Sequence, residues 1–137
     1  MHPTIQQWGP FDLDLFADQS GHTAQAPVWR FPEMSAFELT SLCGRVWAHP
    51  PRAIVGQTIR FLNEALAAKD GIAEVVLLLI EDVGAPWFRA RLLRKWTRRA
   101  RWQAGSDLFR VPEHVESHVT WKRAPRVDEP VVLLTSW

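Results

Sequence analysis

Six successive apolar side chains, Val75-Val76-Leu77-Leu78-Leu79-Ile80, limit what this 137-residue chain can become. The run is far below the roughly 18 residues that suggest a membrane span, and it is short for a buried helix. A strand points its side chains alternately to two faces, so an unbroken apolar run needs cover on both. Helices on the two sides of a mostly parallel sheet supply that cover. The fold class expected is therefore α/β, with this run as the central strand. One domain over residues 1–137 is enough, because a chain of this length buries roughly two thirds of its unfolded surface without a staple. The single cysteine, Cys43, cannot form an internal bridge. That excludes the disulfide-rich secreted class and fits a reducing, intracellular compartment, cytoplasm or nucleus. Neither a leader nor a membrane contact is expected.

The remaining elements follow from periodicity and punctuation. Pro10 to Phe16 alternates apolar and acidic residues, predicting a strand with one buried face and with Asp12 and Asp14 on the other. Small and polar residues from Ala17 to Gln25 read as a loop. Val28 to Phe31, between Pro27 and Pro32, reads as a short extended piece, and Ser35 to Leu42 as one or two helical turns. Gly44 to His49 reads as a second strand, stopped by Pro50-Pro51, which supply no ladder donor. Val55, Ile59, Leu62 and Leu66 fall at helical spacing, with Arg60 and Glu64 on the other side and Asp70-Gly71 as the stop. An apolar strand after a helix predicts a parallel crossover. Pro86 opens a further predicted helix whose wheel takes in residues 88–101. Asp107 to Val111 ended by Pro112, Val119 to Lys122, and Val131 to Thr135 are candidate strands, so a core over about 11–110 is followed by C-terminal strands over about 107–137.

Charge is unevenly placed. Lys and Arg number 16 against 15 Asp and Glu, yet seven of the basic residues lie between Pro86 and Ala104 with no acid among them. On the predicted helix Phe88, Leu92, Leu93, Trp96 and Ala100 share one side. Arg91, Arg94, Arg98 and Arg101 share the opposite side, with Lys95 at the border. A basic face without compensating acid is suited to an anion, and these five residues are the expected nucleic-acid contacts. The chain also has eight Trp and no Tyr. Most of the tryptophans are expected in the core, and a few are available for stacking or for a protein partner.

Two short segments each have two readings, as part of a ligand site or as an ordinary solvent-facing strand edge and proline punctuation. Asp12-Leu13-Asp14-Leu15-Phe16-Ala17 ends a strand where α/β sheets bind ligands, and Ala48-His49-Pro50-Pro51 ends another and stiffens the backbone beyond it. Phe11 to Ala17, then Gly44 to Pro51, then Glu74 to Ile80 followed by Pro86-Trp87-Phe88, come in an order that resembles the phage-type DNA adenine methyltransferases. The resemblance is closer to the methyltransferase-like domain of DIRS-type retroelements. It spans roughly Phe11 to Arg110.

The resemblance implies a reduced, Rossmann-like class I methyltransferase fold, with S-adenosylmethionine as cofactor and an adenine turned out of the duplex as target. It assigns Asp14, Phe16 and Ala17 to the cofactor and His49, Pro50 and Pro51 to the target amine, and it calls for no metal. DNA is expected as partner ahead of RNA. His49 stands where the family has Asn or Asp, and Arg52 where it has an aromatic; Asp18-Gln19-Ser20-Gly21 replaces a glycine-rich turn. A protonated histidine and an arginine accept no hydrogen bond, so a catalytically degenerate, nucleic-acid-associated domain of mobile-element origin is the leading reading. Two alternatives stand beside it. Asp12 or Asp14 with Glu81 and Asp82 would suit a metal-dependent nuclease if their strands were adjacent, and exposed tryptophans would suit a protein-interaction module.

Overall fold

The computed structural model describes residues 3–20, 24–68, 73–89, 91–106, 108, 110–115, 118–123 and 129–137. In chain order the elements are α1 (Pro3–Gln6), β1 (Leu13–Asp14), β2 (Val28–Trp29), β3 (Gly44–Ala48), α2 (Val55–Ala67) and β4 (Ala73–Ile80). They continue with α3 (Pro86–Arg89), β5 (Thr97–Trp102), β6 (Arg110–Val115), β7 (His118–Arg123) and β8 (Val131–Thr135). Two short 3-10 turns, Ala36–Glu38 and Arg52–Ile54, precede β3 and α2 respectively.

The apolar run lies where cover is available on both sides. Val75, Leu77 and Leu79 of β4 join one buried cluster, and Val76 and Leu78 join another on the opposite face. The first cluster includes Val55, Ile59 and Leu62 of α2, and the second includes Ile5 of α1 and Phe11. Burial of this kind stabilises by about 25 cal/mol for each Å2 of apolar surface, which is why the sheet is organised around β4.

Six strands form one sheet in the order β2-β1-β3-β4-β8-β5. β1 pairs in parallel with both β2 and β3, and β3 pairs in parallel with β4, Val46 opposite Val75. β8 inserts antiparallel between β4 and β5, with Leu133 opposite both Leu78 and Ala100. The result is a mostly parallel, Rossmann-like α/β sheet with helices on its two sides, as the sequence predicts. Among the described residues no helix is long and apolar enough to cross a membrane.

Three expectations are corrected. The basic helix expected after Pro86 does not form: α3 ends at Arg89, residues 91–95 turn, and β5 begins at Thr97. Arg91 has a φ of 55°, where an α-helix cannot continue. The pattern that read as a helical stripe is satisfied instead by pairing Thr97 to Trp102 with β8. A bulge between Arg98 and Ala100 keeps Arg98 and Arg101 on the same face.

The opening strand is shorter than expected and its acids diverge. Asp12 is exposed, whereas Asp14 is 1% exposed because β1 lies inside the sheet between β2 and β3. Pro112 does not end a strand; it sits within β6, paired with Trp121 of β7. In this two-stranded ribbon each strand has a free edge, which tolerates a residue without an N–H. The expected helix stop Asp70-Gly71, and Asp107 and Phe109 of the expected strand, lie outside the described residues.

Gly44 shows how the approach to β1 and the start of β3 are locked together. Its φ is 73°, and a Cβ there would meet the Asp12 carboxylate. That carboxylate accepts the Arg45 N–H at 2.8 Å, while the Asp12 N–H donates to the Arg45 carbonyl at 2.7 Å. Gly44→Ala is expected to destabilise the fold by about 1–2 kcal/mol, from the left-handed backbone and the displaced carboxylate together. A urea midpoint matching the wild type would show that this corner is slack.

Candidate functional site

β1 is the strand at which the sheet order reverses: β2 lies on one side of it and β3 on the other. In open α/β sheets the loops leaving such a pair diverge and leave a crevice outside the carboxyl ends of the strands. Asp14 is in register with Trp47, so Leu15-Phe16-Ala17 and His49-Pro50-Pro51 leave the same rim from adjacent parallel strands. The structure thus brings together the two segments singled out in the sequence.

Asp14 organises the loop after β1. Its carboxylate accepts the N–H of Phe16 at 3.0 Å and of Gln25 at 2.9 Å. Burial pushes its pKa up, with the two backbone hydrogen bonds opposing and the nearby Asp18 adding to the rise. The Ala17 N–H donates to the Arg30 carbonyl at 2.9 Å. The N–H groups of Phe16, Ala17 and Gln25 are therefore occupied within the protein.

Beside the loop lies a cavity of about 240 Å3, walled by Phe16, Ala17, Phe31, Phe37, Pro51 and Ile54. Sites for drug-sized ligands occupy about 300–1,000 Å3, and S-adenosylmethionine also needs polar partners for its charged amino-acid end. The cavity has room and apolar walls for a flat ring, but the N–H groups of Phe16 and Ala17 on its wall are already bonded, and among the described residues its lining carries no charge. The residues present do not fit the whole cofactor.

His49 is turned elsewhere. Its ring meets Trp47 edge-on at 6.5 Å between centroids, and Trp47 belongs to the cluster on the α1 side of the sheet. The cavity wall, in contrast, shares Ala36 and Leu15 with the α2-side cluster. Of the expected target-facing residues Pro51 borders the cavity, Pro50 is buried, and His49 is not part of the lining. Burial pushes the His49 imidazole down to about 4, so at neutral pH it is uncharged and retains one acceptor nitrogen. Arg52, at the position of the expected aromatic, is exposed and held by Glu129 at 2.7 Å and Asp82 at 3.8 Å.

The five expected nucleic-acid contacts separate into two groups. Arg98 and Arg101 reach Glu81 at 3.3 and 2.7 Å. Arg91, Arg94 and Lys95 lie on the turn before β5 and, among the described residues, take part in no ion pair. They line a larger cavity, of about 520 Å3, against the end of α2. Asn63, which periodicity assigned no role, ties this turn to α2. Its amide donates to the Leu92 carbonyl at 2.9 Å and its oxygen accepts the Trp96 indole N–H at 2.8 Å. The only sequence signal for it was a polar residue directly after Leu62 of the helix stripe. Arg99, on the bulge, donates to the Thr135 hydroxyl and the Trp137 carbonyl and lies over the Trp8 ring at 5.3 Å.

The nuclease arrangement is not assembled. Asp12 precedes β1 and Glu81 and Asp82 follow β4, so they sit at opposite rims. Asp14 is separated from β4 by β3, two strand spacings or about 10 Å. Its carboxylate and that of Glu81 are engaged by other groups, and the described residues gather no three His, Cys, Asp or Glu that could share a metal ion. Trp47 and Trp96 are core residues, while Trp137 is 38% exposed.

No family model matches the chain, and no match was found among the curated proteins. Among solved structures it is similar to precorrin-6y C5,15-methyltransferase from Geobacter metallireducens. The TM-score is 0.44 at 13% identity, with 98% of this chain and 84% of that chain covered.

Proposed function

We propose that this chain is a methyltransferase-like, nucleic-acid-associated domain that keeps the architecture of a cofactor crevice and has lost methyl transfer. The observation that carries this reading is the adjacency of the Asp14 and His49-Pro50-Pro51 segments at the strand-order reversal. The order of the sequence segments is what supports a mobile-element origin in this reading. Loss of transfer is supported by the small apolar cavity, the occupied loop donors and a His49 ring packed against Trp47.

Calorimetric titration of S-adenosylmethionine tests the crevice, together with an assay for label transfer to duplex DNA. The expected result is no transfer and no cofactor binding tighter than about 1 mM, an affinity near 4 kcal/mol. Stoichiometric micromolar binding with turnover would overturn the degenerate reading.

Nucleic-acid association is carried in this reading by Arg91, Arg94 and Lys95, which among the described residues form no ion pair, with DNA preferred to RNA. Replacing Arg91, Arg94 and Lys95 together by Gln is expected to lower the salt slope of duplex binding by about 0.9 for each phosphate no longer neutralised. Replacing Arg98 and Arg101, which share the single Glu81 carboxylate and so carry about half their charge uncompensated, is expected to change it less. Anisotropy titrations over a salt series read both, and an unaltered slope in the triple variant removes this turn from the account.

A further inference from the structure

We infer that the cavity between the end of α2 and the turn before β5 is a nucleotide site, taking phosphate on Arg91, Arg94 and Lys95 and a base against its apolar wall. This deepens the nucleic-acid reading of those cations and is independent of the methyltransferase reading of the crevice. The cavity opens near Ser136, which follows β8 and binds Val75 at the start of β4. It therefore lies at the rim opposite the crevice beside Asp14.

Three observations converge on this ligand. The volume, about 520 Å3, is within the range of sites for small organic ligands. Among the described residues the lining divides into an apolar part, Leu66, Leu92 and Trp96, and a cationic part, Arg91, Arg94 and Lys95, with no acid between them. That division matches a nucleotide, which joins a flat ring to a phosphate group. Finally, the turn is fixed before any ligand arrives. Asn63 grips both the Leu92 carbonyl and the Trp96 indole, so little ordering cost remains on binding.

Arg91 gives the sharpest indication. It is the only non-glycine residue with positive φ among the described residues, and it sits on the cavity rim. A strained conformation is retained where the surrounding structure and its use demand that side chain, and glycine would occupy this backbone more readily.

The test compares deoxyadenosine monophosphate, deoxyadenosine and inorganic phosphate by calorimetry on the full chain. The monophosphate is expected to bind at least about tenfold more tightly than the nucleoside, reflecting charge-assisted hydrogen bonds to the phosphate. Arg91→Gly is expected to weaken the monophosphate by about tenfold while leaving the thermal midpoint unchanged or raised. Ala67→Trp, at an exposed position lining the cavity, is expected to abolish monophosphate binding by filling the space without removing a charge. Equal binding of nucleoside and monophosphate, or full binding by the Ala67→Trp variant, would overturn the inference. Competition with an oligothymidine strand separates the sources: a much tighter strand identifies the polymer, and equal affinity a free nucleotide. Duplex DNA retained without monophosphate binding defeats this site and leaves the broader association standing. Monophosphate binding without duplex retention does the reverse.

Discussion

Asp14→Ala is expected to destabilise the fold by about 3 kcal/mol at neutral pH and to release the loop after β1. The carboxylate is 1% exposed and holds the N–H groups of Phe16 and Gln25. Removing it orphans two partly buried donors, each worth about 1–3 kcal/mol when left unsatisfied. The loss is moderated because burial of the charge is itself unfavourable, as the raised pKa records. A group whose folded pKa is raised contributes most below its unfolded value, here 3.8, and less as pH rises through the folded value. The penalty for removing Asp14 is therefore larger in acid than at pH 7. Asp14→Asn keeps one acceptor and is expected to lose about half as much. Urea unfolding of the three proteins checks this, and matching midpoints for wild type and the alanine variant would refute the role given to Asp14.

The second large effect is a loss of stability in mild acid. The His49 imidazole titrates near 6.5 when exposed and is pushed down to about 4 in the fold. Between those values the unfolded chain binds a proton that the folded chain refuses, so stability present above pH 6.5 falls as pH drops toward 4. The slope approaches about 1.4 kcal/mol per pH unit and the whole loss is about 3 kcal/mol. Asp14 works in the opposite sense at the acid end, because its raised pKa favours the fold as it protonates. His49→Gln removes the histidine contribution, so its stability profile over this interval should be flatter than that of the wild type. Parallel profiles would mean that the ring is protonated at no cost.

The fate of the arginines follows from pairing at long range. Read along the chain, Phe88 to Arg101 spaces most of its apolar and basic residues as a helix would, with Arg89 and Arg99 breaking the stripe, and the stretch from Thr97 to Trp102 pairs as a strand once a bulge is allowed. The choice was made by β8, some thirty residues later, which offers β5 a backbone ladder from Thr135 to Val131. Once β5 is a strand, Glu81 at the end of β4 collects Arg98 and Arg101. Arg99 is drawn to Trp8 and Trp137, and the turn is left with three cations facing a cavity. The expected basic stripe becomes three local environments of different electrostatic character.

Other features were legible because their causes are local. The apolar run at Val75 to Ile80 required a sheet covered on two sides whatever its neighbours, and Pro50-Pro51 had to end β3 because proline carries no ladder donor. The helical spacing of Val55, Ile59 and Leu62 likewise fixed which face of α2 is buried. By itself, then, the sequence determined an α/β sheet, its central strand and the two segments that leave it side by side at one rim. Only the tertiary structure decided that Asp14 is buried, that His49 packs on Trp47 and that the arginines divide. Each of these depends on which distant strand lies alongside, and a backbone partner tens of residues away leaves no local trace in the chain.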